Sequence, residues 1–167
     1  MALLVTVTAG CGSSQSASSS ASNGQPRAAQ TTSQQTHFAK TKFALHAGLA
    51  FGAFHRYIYK PYKEGKFSGG LLHHKLTTLK AALAAGFAYH EVRLALDDAR
   101  SSKILSALLS PLLALQTKLS ALRGALRHGS ADPAAIQAAN GDTSTISAES
   151  SSRGQPIQDQ PTPQLGG

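Results

Sequence analysis

The sequence predicts an all-α protein: a three- or four-helix bundle with a disordered N-terminal tether and a disordered C-terminal tail. Three observations carry that reading. Ala and Leu dominate the 167 residues, whereas beyond residue 10 there is one Val (Val92) and five Ile, so little is available to build strands. Apolar residues recur at helical spacing from Phe38 to His128. Both flanks are poor in large apolar side chains and rich in Ser, Gln, Gly and Pro, so they cannot bury enough surface to offset their ordering entropy.

The first helix is expected over Phe38–Lys60, where Phe43, Ala47, Ala50, Phe51, Phe54 and Ile58 share a face. Pro61 disfavours helix at Lys60 and is expected to stop it there. Gly65, Gly69 and Gly70 make Tyr62–Gly70 a link. The second helix is expected from Leu71 to about Arg100. Its buried stripe is read as Leu72, Leu76, Leu79 and Leu83, continued by Phe87, His90 and Leu94. Ser101 and Ser102 allow a break or cap. The third helical run spans Lys103–His128, and Leu108, Leu112, Leu115, Leu119, Leu122 and Leu126 form the seam of an antiparallel or coiled-coil-like pair. Pro111 inside it predicts either a kink or a fresh start capped by Ser110. Gly129 ends the run. Asp132-Pro133 is a cap-plus-proline signal for a fourth helix reaching about Ser150, whose only large apolar residues are Ile136 and Ile146. The bundle is therefore placed at 37–150 and the tail at 151–167.

Helix 1 is apolar on two sides. Gly48 and Gly52 form a GxxxG pair that lets a neighbouring helix come close, or supports a homodimer. A helix of this kind is central in its bundle or shares a face with a partner. Phe43–Phe54 is the most apolar stretch, but it is bracketed by Lys42 and Arg56 and falls short of the roughly 20 residues a membrane span needs.

Charge is unevenly spread. Residues 38–128 hold 14 Lys and Arg against four acids (Glu64, Glu91, Asp97, Asp98), while the last 39 residues are mildly acidic. A basic body favours polyanions such as lipid headgroups, cell-wall polymers or nucleic acid. Its densest part is Arg56, Tyr57, Tyr59, Lys60, Tyr62, Lys63, Lys66 and Phe67. Arg56, Lys60, Lys63 and Lys66 are the candidate anion contacts, with Tyr side chains suited to an interface.

Residues 1–10, MALLVTVTAG, form a short apolar run ending in small residues directly before the single cysteine, Cys11. Thr8-Ala9-Gly10-Cys11 resembles the lipobox of bacterial lipoproteins. The resemblance implies that Cys11 receives a diacylglyceryl group and becomes the new N-terminus. The run lacks a basic n-region, so it reads as a signal-peptide remnant with the initiation site left open. Residues 11–36 then read as the lipidated cysteine and a flexible tether: from Gly12 to Thr36 there is one charge (Arg27) and no large apolar residue. Such a tether reaches roughly 25–30 Å. The Ala-rich, Ser-tethered style is similar to small lipoproteins of high-GC Gram-positive bacteria. That likeness implies a location and an architecture but no mechanism.

Catalytic signatures are lacking. His90-Glu91 begins like a zincin motif, but Leu94 stands where the second histidine belongs. Ala53-Phe54-His55 and Ala88-Tyr89-His90 echo each other, and a hairpin of the first two helices would let His55 and His90 approach with Glu91 as a metal site. No cofactor is called for. The expected function is that of an exported, lipid-anchored, non-enzymatic structural or interaction module at the outer face of the cell membrane. Its partner would be a protein or an anionic envelope component, with nucleic acid disfavoured by export. Two alternatives stand: a small-ligand or metal-binding bundle, and a cytoplasmic polyanion binder if Cys11 carries no lipid.

Overall fold

The computed structural model describes residues 27–68, 74–162 and 164. Cys11, its preceding residues and the expected tether up to residue 26 lie outside the described residues, as do Leu71, Leu72 and His73, whereas residues 27–36, expected as tether, are helical. The described elements are all helical: α1 (Arg27–Phe54), a π-helical turn (His55–Tyr59), α2 (Lys60–Lys63), α3 (Lys75–Arg100), a 3₁₀ turn (Ser106–Leu108), α4 (Leu109–Arg127) and α5 (Pro133–Ser152). α1 packs on α3, α3 on α4 and α4 on α5, while α5 closes against the π turn. Short connections make neighbours antiparallel, giving an up-down-up-down four-helix bundle. Among the described residues no helix is long and apolar enough to cross a membrane.

α1 starts at Arg27, ten residues before the expected edge of the bundle. Between Arg27 and Ala47 there is neither Gly nor Pro to break a helix, and Ala and Gln are frequent. Its buried face is the expected one: Phe43, Ala47, Ala50, Phe51, Phe54 and Ile58 are all essentially inaccessible.

Pro61 does not end this helix, contrary to expectation. The chain widens into a π turn, in which the Lys60 N–H donates to the His55 carbonyl, and helix continues through Pro61 to Lys63. A proline in an α-register lacks a donor for the carbonyl four residues back and crowds it. One wide turn just before Pro61 relieves that conflict. The helix stops only at Gly65, which takes φ +69°. There the Lys66 N–H reaches the Pro61 carbonyl and the Gly65 N–H reaches Tyr62, the paired bonds of a Schellman cap.

The expected stripe of α3 is overturned. Leu76, Leu79 and Leu83 are exposed and His90 is exposed too, while Phe87 and Leu94 are half-buried. The buried face is instead Ala81, Ala84, Ala85, Ala88, Val92, Ala95 and Ala99, with Leu96. The reason is steric. α3 lies between α1 and α4, which bring phenylalanines and leucines from either side. Large neighbours on both sides leave room only for alanine. Thus α3, and not α1, is the central helix.

α4 carries the seam as read: Leu108, Leu112, Leu115, Leu119, Leu122 and Leu126 are buried without a break. Its start differs from the expected Lys103. α3 ends at Arg100, where the Ser101 hydroxyl donates to the Asp97 carbonyl, and α4 begins only after the 3₁₀ turn. Pro111 falls in the first turn, where an N–H is unpaired anyway, so neither a kink nor a Ser110 cap is needed. Gly129, at φ +80°, closes α4 through Ser130 N–H to Ala125 and Gly129 N–H to Leu126. α5 begins as expected, with the Asp132 carboxylate accepting from the Ala134 N–H at 2.9 Å. It buries Ile136, Ala139, Thr143, Ile146 and Ser150 at alternating spacings of three and four.

Beyond α5, residues 155–162 form neither helix nor strand. They lie along α1. The Gln160 N–H donates to the Gly48 carbonyl, and a Cβ at Gly48 or Gly52 would overlap the carbonyl oxygen of Gln158 or Gln160. The close neighbour expected at the GxxxG pair is therefore this strap, where a helix was anticipated. It covers the side on which a homodimer was considered.

Candidate functional site

The π turn positions the site. Turning the chain through His55–Tyr59 with one extra residue per turn sets His55 toward α5 and the strap. His55 Nδ1 lies 2.6 Å from Asp159 Oδ2 on the strap, and Nε2 lies 3.3 Å from Thr143 Oγ1 on α5. The ring stands edge-on to Phe54 and Tyr59. One histidine thus joins three separate pieces of chain.

A groove of about 730 Å³ opens beside it, between the π turn and the strap, with Arg56, Tyr59, Lys60, Asp159 and Thr162 among its walls. A second groove of about 330 Å³ adjoins it and shares Tyr59; Tyr62, Lys63, Gln137 and Asn140 line it. The Gln137 side-chain amide donates to the Tyr62 hydroxyl, fixing α5 against α2. The tyrosines pack their rings on the core edge, so they are half-buried and ordered by packing.

The four cations read as anion contacts separate. Arg56 and Lys60 are exposed on the larger groove, and the Arg56 guanidinium lies 5.5 Å from the Tyr57 ring centroid. Lys63 stands on the smaller groove. Lys66 is outside both grooves and pairs with Glu64 at 2.7 Å. That hydrogen bond holds the Glu64 carboxyl below its ordinary value. Among the described residues, Arg56, Lys60 and Lys63 are in no ion pair within 4 Å.

The proposed approach of His55 and His90 does not occur in the expected way. Glu91 is buried, and its carboxylate meets His46 Nδ1 at 2.7 Å. His46 Nε2 faces Asp98 at 3.9 Å. His90 is exposed, about 100° round α3 from Glu91, and no contact joins it to that pair among the described residues. The helical echo misled because α1 packs on the alanine face of α3, from which His90 points away. Among the described residues, no group of three His, Cys, Asp or Glu is placed to hold a metal ion. Burial pushes the Asp98 carboxyl above its ordinary value, while His46 and Lys42 pull the other way.

Thr143, His55 and Asp159 follow the order of a hydroxyl, base and orienting carboxylate. The protons run against that chemistry. The Thr143 hydroxyl gives its one proton to the Asn140 carbonyl at 2.8 Å, which leaves none for His55 Nε2 at 3.3 Å. A base that activates a hydroxyl has to accept. Thr143 is also sealed from solvent. The triangle holds three chain segments together and does not present an activated nucleophile.

Sequence reasoning missed Asp159, Gln160, Thr143 and His46. Ile157 was the available signal for the strap, being the one large apolar residue between Gly154 and Thr162; it packs against the core. Comparison with protein-family models, curated proteins and solved structures found no match.

Proposed function

We propose that this chain is an exported, lipid-anchored helical bundle that acts as a structural or interaction module on the outer face of the cell membrane. Its π-turn groove binds an anionic envelope component. The observation that carries the binding role is the groove itself: Arg56 and Lys60, in no ion pair within 4 Å among the described residues, line it with Tyr59. Exposed cations beside a half-buried tyrosine suit repeated phosphate or carboxylate groups, with the ring supplying an apolar wall. Lys63 on the adjoining groove extends the track along α2. The anchoring role draws on Thr8-Ala9-Gly10-Cys11 and the polar segment after it. A doubly acylated cysteine anchors stably where one chain would not.

The binding role is tested with inorganic polyphosphate as the soluble probe, titrated into the full chain at several salt concentrations. Arg56→Glu/Lys60→Glu is expected to weaken binding about tenfold or more and to flatten its salt dependence. Equal binding by that variant would remove the groove from the account.

A further inference from the structure

The outward face of α3 is built like an interfacial helix. Leu76, Leu79 and Leu83 are 63%, 56% and 52% exposed, and their spacing of three and four puts them in one row. No element of the described chain covers them, because α1 and α4 both pack on the alanine side. At 100° per residue, Lys75 and Lys80 flank the row on its two sides. Half-buried Phe87 and exposed His90 and Arg93 continue the same face. The first acid on α3 is Glu91, which is buried and turned to His46.

Beside the row lies a depression of about 350 Å³ between α3 and the end of α4. Leu79, Ala82 and Leu126 wall it, and Lys75 and Arg127 stand at its rim. Thr78 belongs to it as well; its hydroxyl is buried without a partner among the described residues. The carboxylates at this end of the bundle are engaged: Glu64 with Lys66, and Asp132 with the Ala134 N–H.

We infer that this face docks on an anionic lipid surface. The three leucines enter the acyl boundary, and Lys75, Lys80 and Arg127 reach the headgroup phosphates. Charge complementarity selects this occupant. Long cationic side chains beside an apolar row can snorkel to phosphates while their stems lie along the hydrocarbon. A second copy docked face to face would set Lys75, Lys80 and Arg127 of one protomer against those of its partner. The inference rests on the lipid-anchored reading only for which membrane the face meets, since the leucine row lies far in sequence from Cys11.

The test uses the full-length Cys11→Ser chain, so that no acyl chain contributes, in flotation with vesicles of phosphatidylcholine and phosphatidylglycerol at 3:1. Binding is expected, weakening with salt and falling on pure phosphatidylcholine. Leu76→Ser/Leu79→Ser/Leu83→Ser should lower binding about tenfold or more with an unchanged helical spectrum, because these side chains are outside the core. If that variant fails to fold, Lys75→Glu/Lys80→Glu gives the same readout from an exposed and a half-buried position outside the core. No binding of the Cys11→Ser chain to the anionic vesicles overturns the inference. So does undiminished binding by both variants, or a leucine variant whose only effect is to convert a dimer to a monomer. Leu76→Ser/Leu79→Ser/Leu83→Ser should leave polyphosphate binding at the π-turn groove within about twofold, which separates this face from that groove.

Discussion

The Gln160 N–H donates to the Gly48 carbonyl at 2.9 Å, tying the end of the chain to the middle of its first helix. The bond is made where α1 has no side chain to keep the strap away. A Cβ at Gly48 or at Gly52 would occupy the space of a strap carbonyl. The same strap brings Asp159 to His55 and supplies one wall of the π-turn groove. The GxxxG pair thus serves the site by admitting backbone.

Gly48→Ala and Gly52→Ala should each therefore cost about 1–3 kcal/mol in thermal or denaturant unfolding, through overpacking against the strap. The sign should reverse in a chain ending at Pro156. Without the strap, alanine at a helical position gains up to about 1 kcal/mol over glycine. Equal costs in the two backgrounds would mean that the strap does not lie on α1.

The leucine seam of α4 supplies a matched pair of substitutions. Leu119→Ala removes a side chain that is fully enclosed and should cost about 2–5 kcal/mol. Leu113→Ala, on the exposed side of the same helix, should stay within about 0.5 kcal/mol. Similar values for the two would contradict the assignment of faces.

Asp98 makes a pH-dependent prediction. Burial, outweighing His46 and Lys42, raises its carboxyl above the ordinary 3.8, so the folded chain keeps this proton to a higher pH than the unfolded chain does. The stability that Asp98 contributes is then present below the unfolded value and is lost as pH rises through the folded one. Asp98→Asn should match the wild type near pH 3 and become the more stable protein above the folded value. Denaturant midpoints across pH 3–7 read this directly. A variant less stable at neutral pH would show that the His46 contact outweighs the burial.

Much of the bundle was legible because α4 and the buried face of α1 are amphipathic in the simple sense: large residues in, small or polar residues out. Asp132-Pro133 and Gly129 gave true boundaries because caps are local chemistry. α3 was read inside out. Hydrophobic size marks the buried face only when a helix has room for it, and α3 is squeezed between the buried face of α1 and that of α4. Its alanines carried the information. The π turn was hidden because Pro61 signals a conflict with helix without saying that one wide turn resolves it. At the site, Arg56 and Lys60 could be read from composition and spacing. Asp159 and Gln160 could not, since their contact with α1 depends on tertiary packing of a tail that has no periodicity.

The central claim is that the domain is held at a membrane through Cys11. It is tested most directly by the intact mass and membrane partition of the chain from its native host, beside the Cys11→Ser variant. The account predicts a mature chain that begins at an acylated Cys11 and fractionates with membranes, and a variant that loses the acyl mass and shifts toward the soluble fraction. An unmodified chain retaining Met1, with the same partition as the variant, would contradict it.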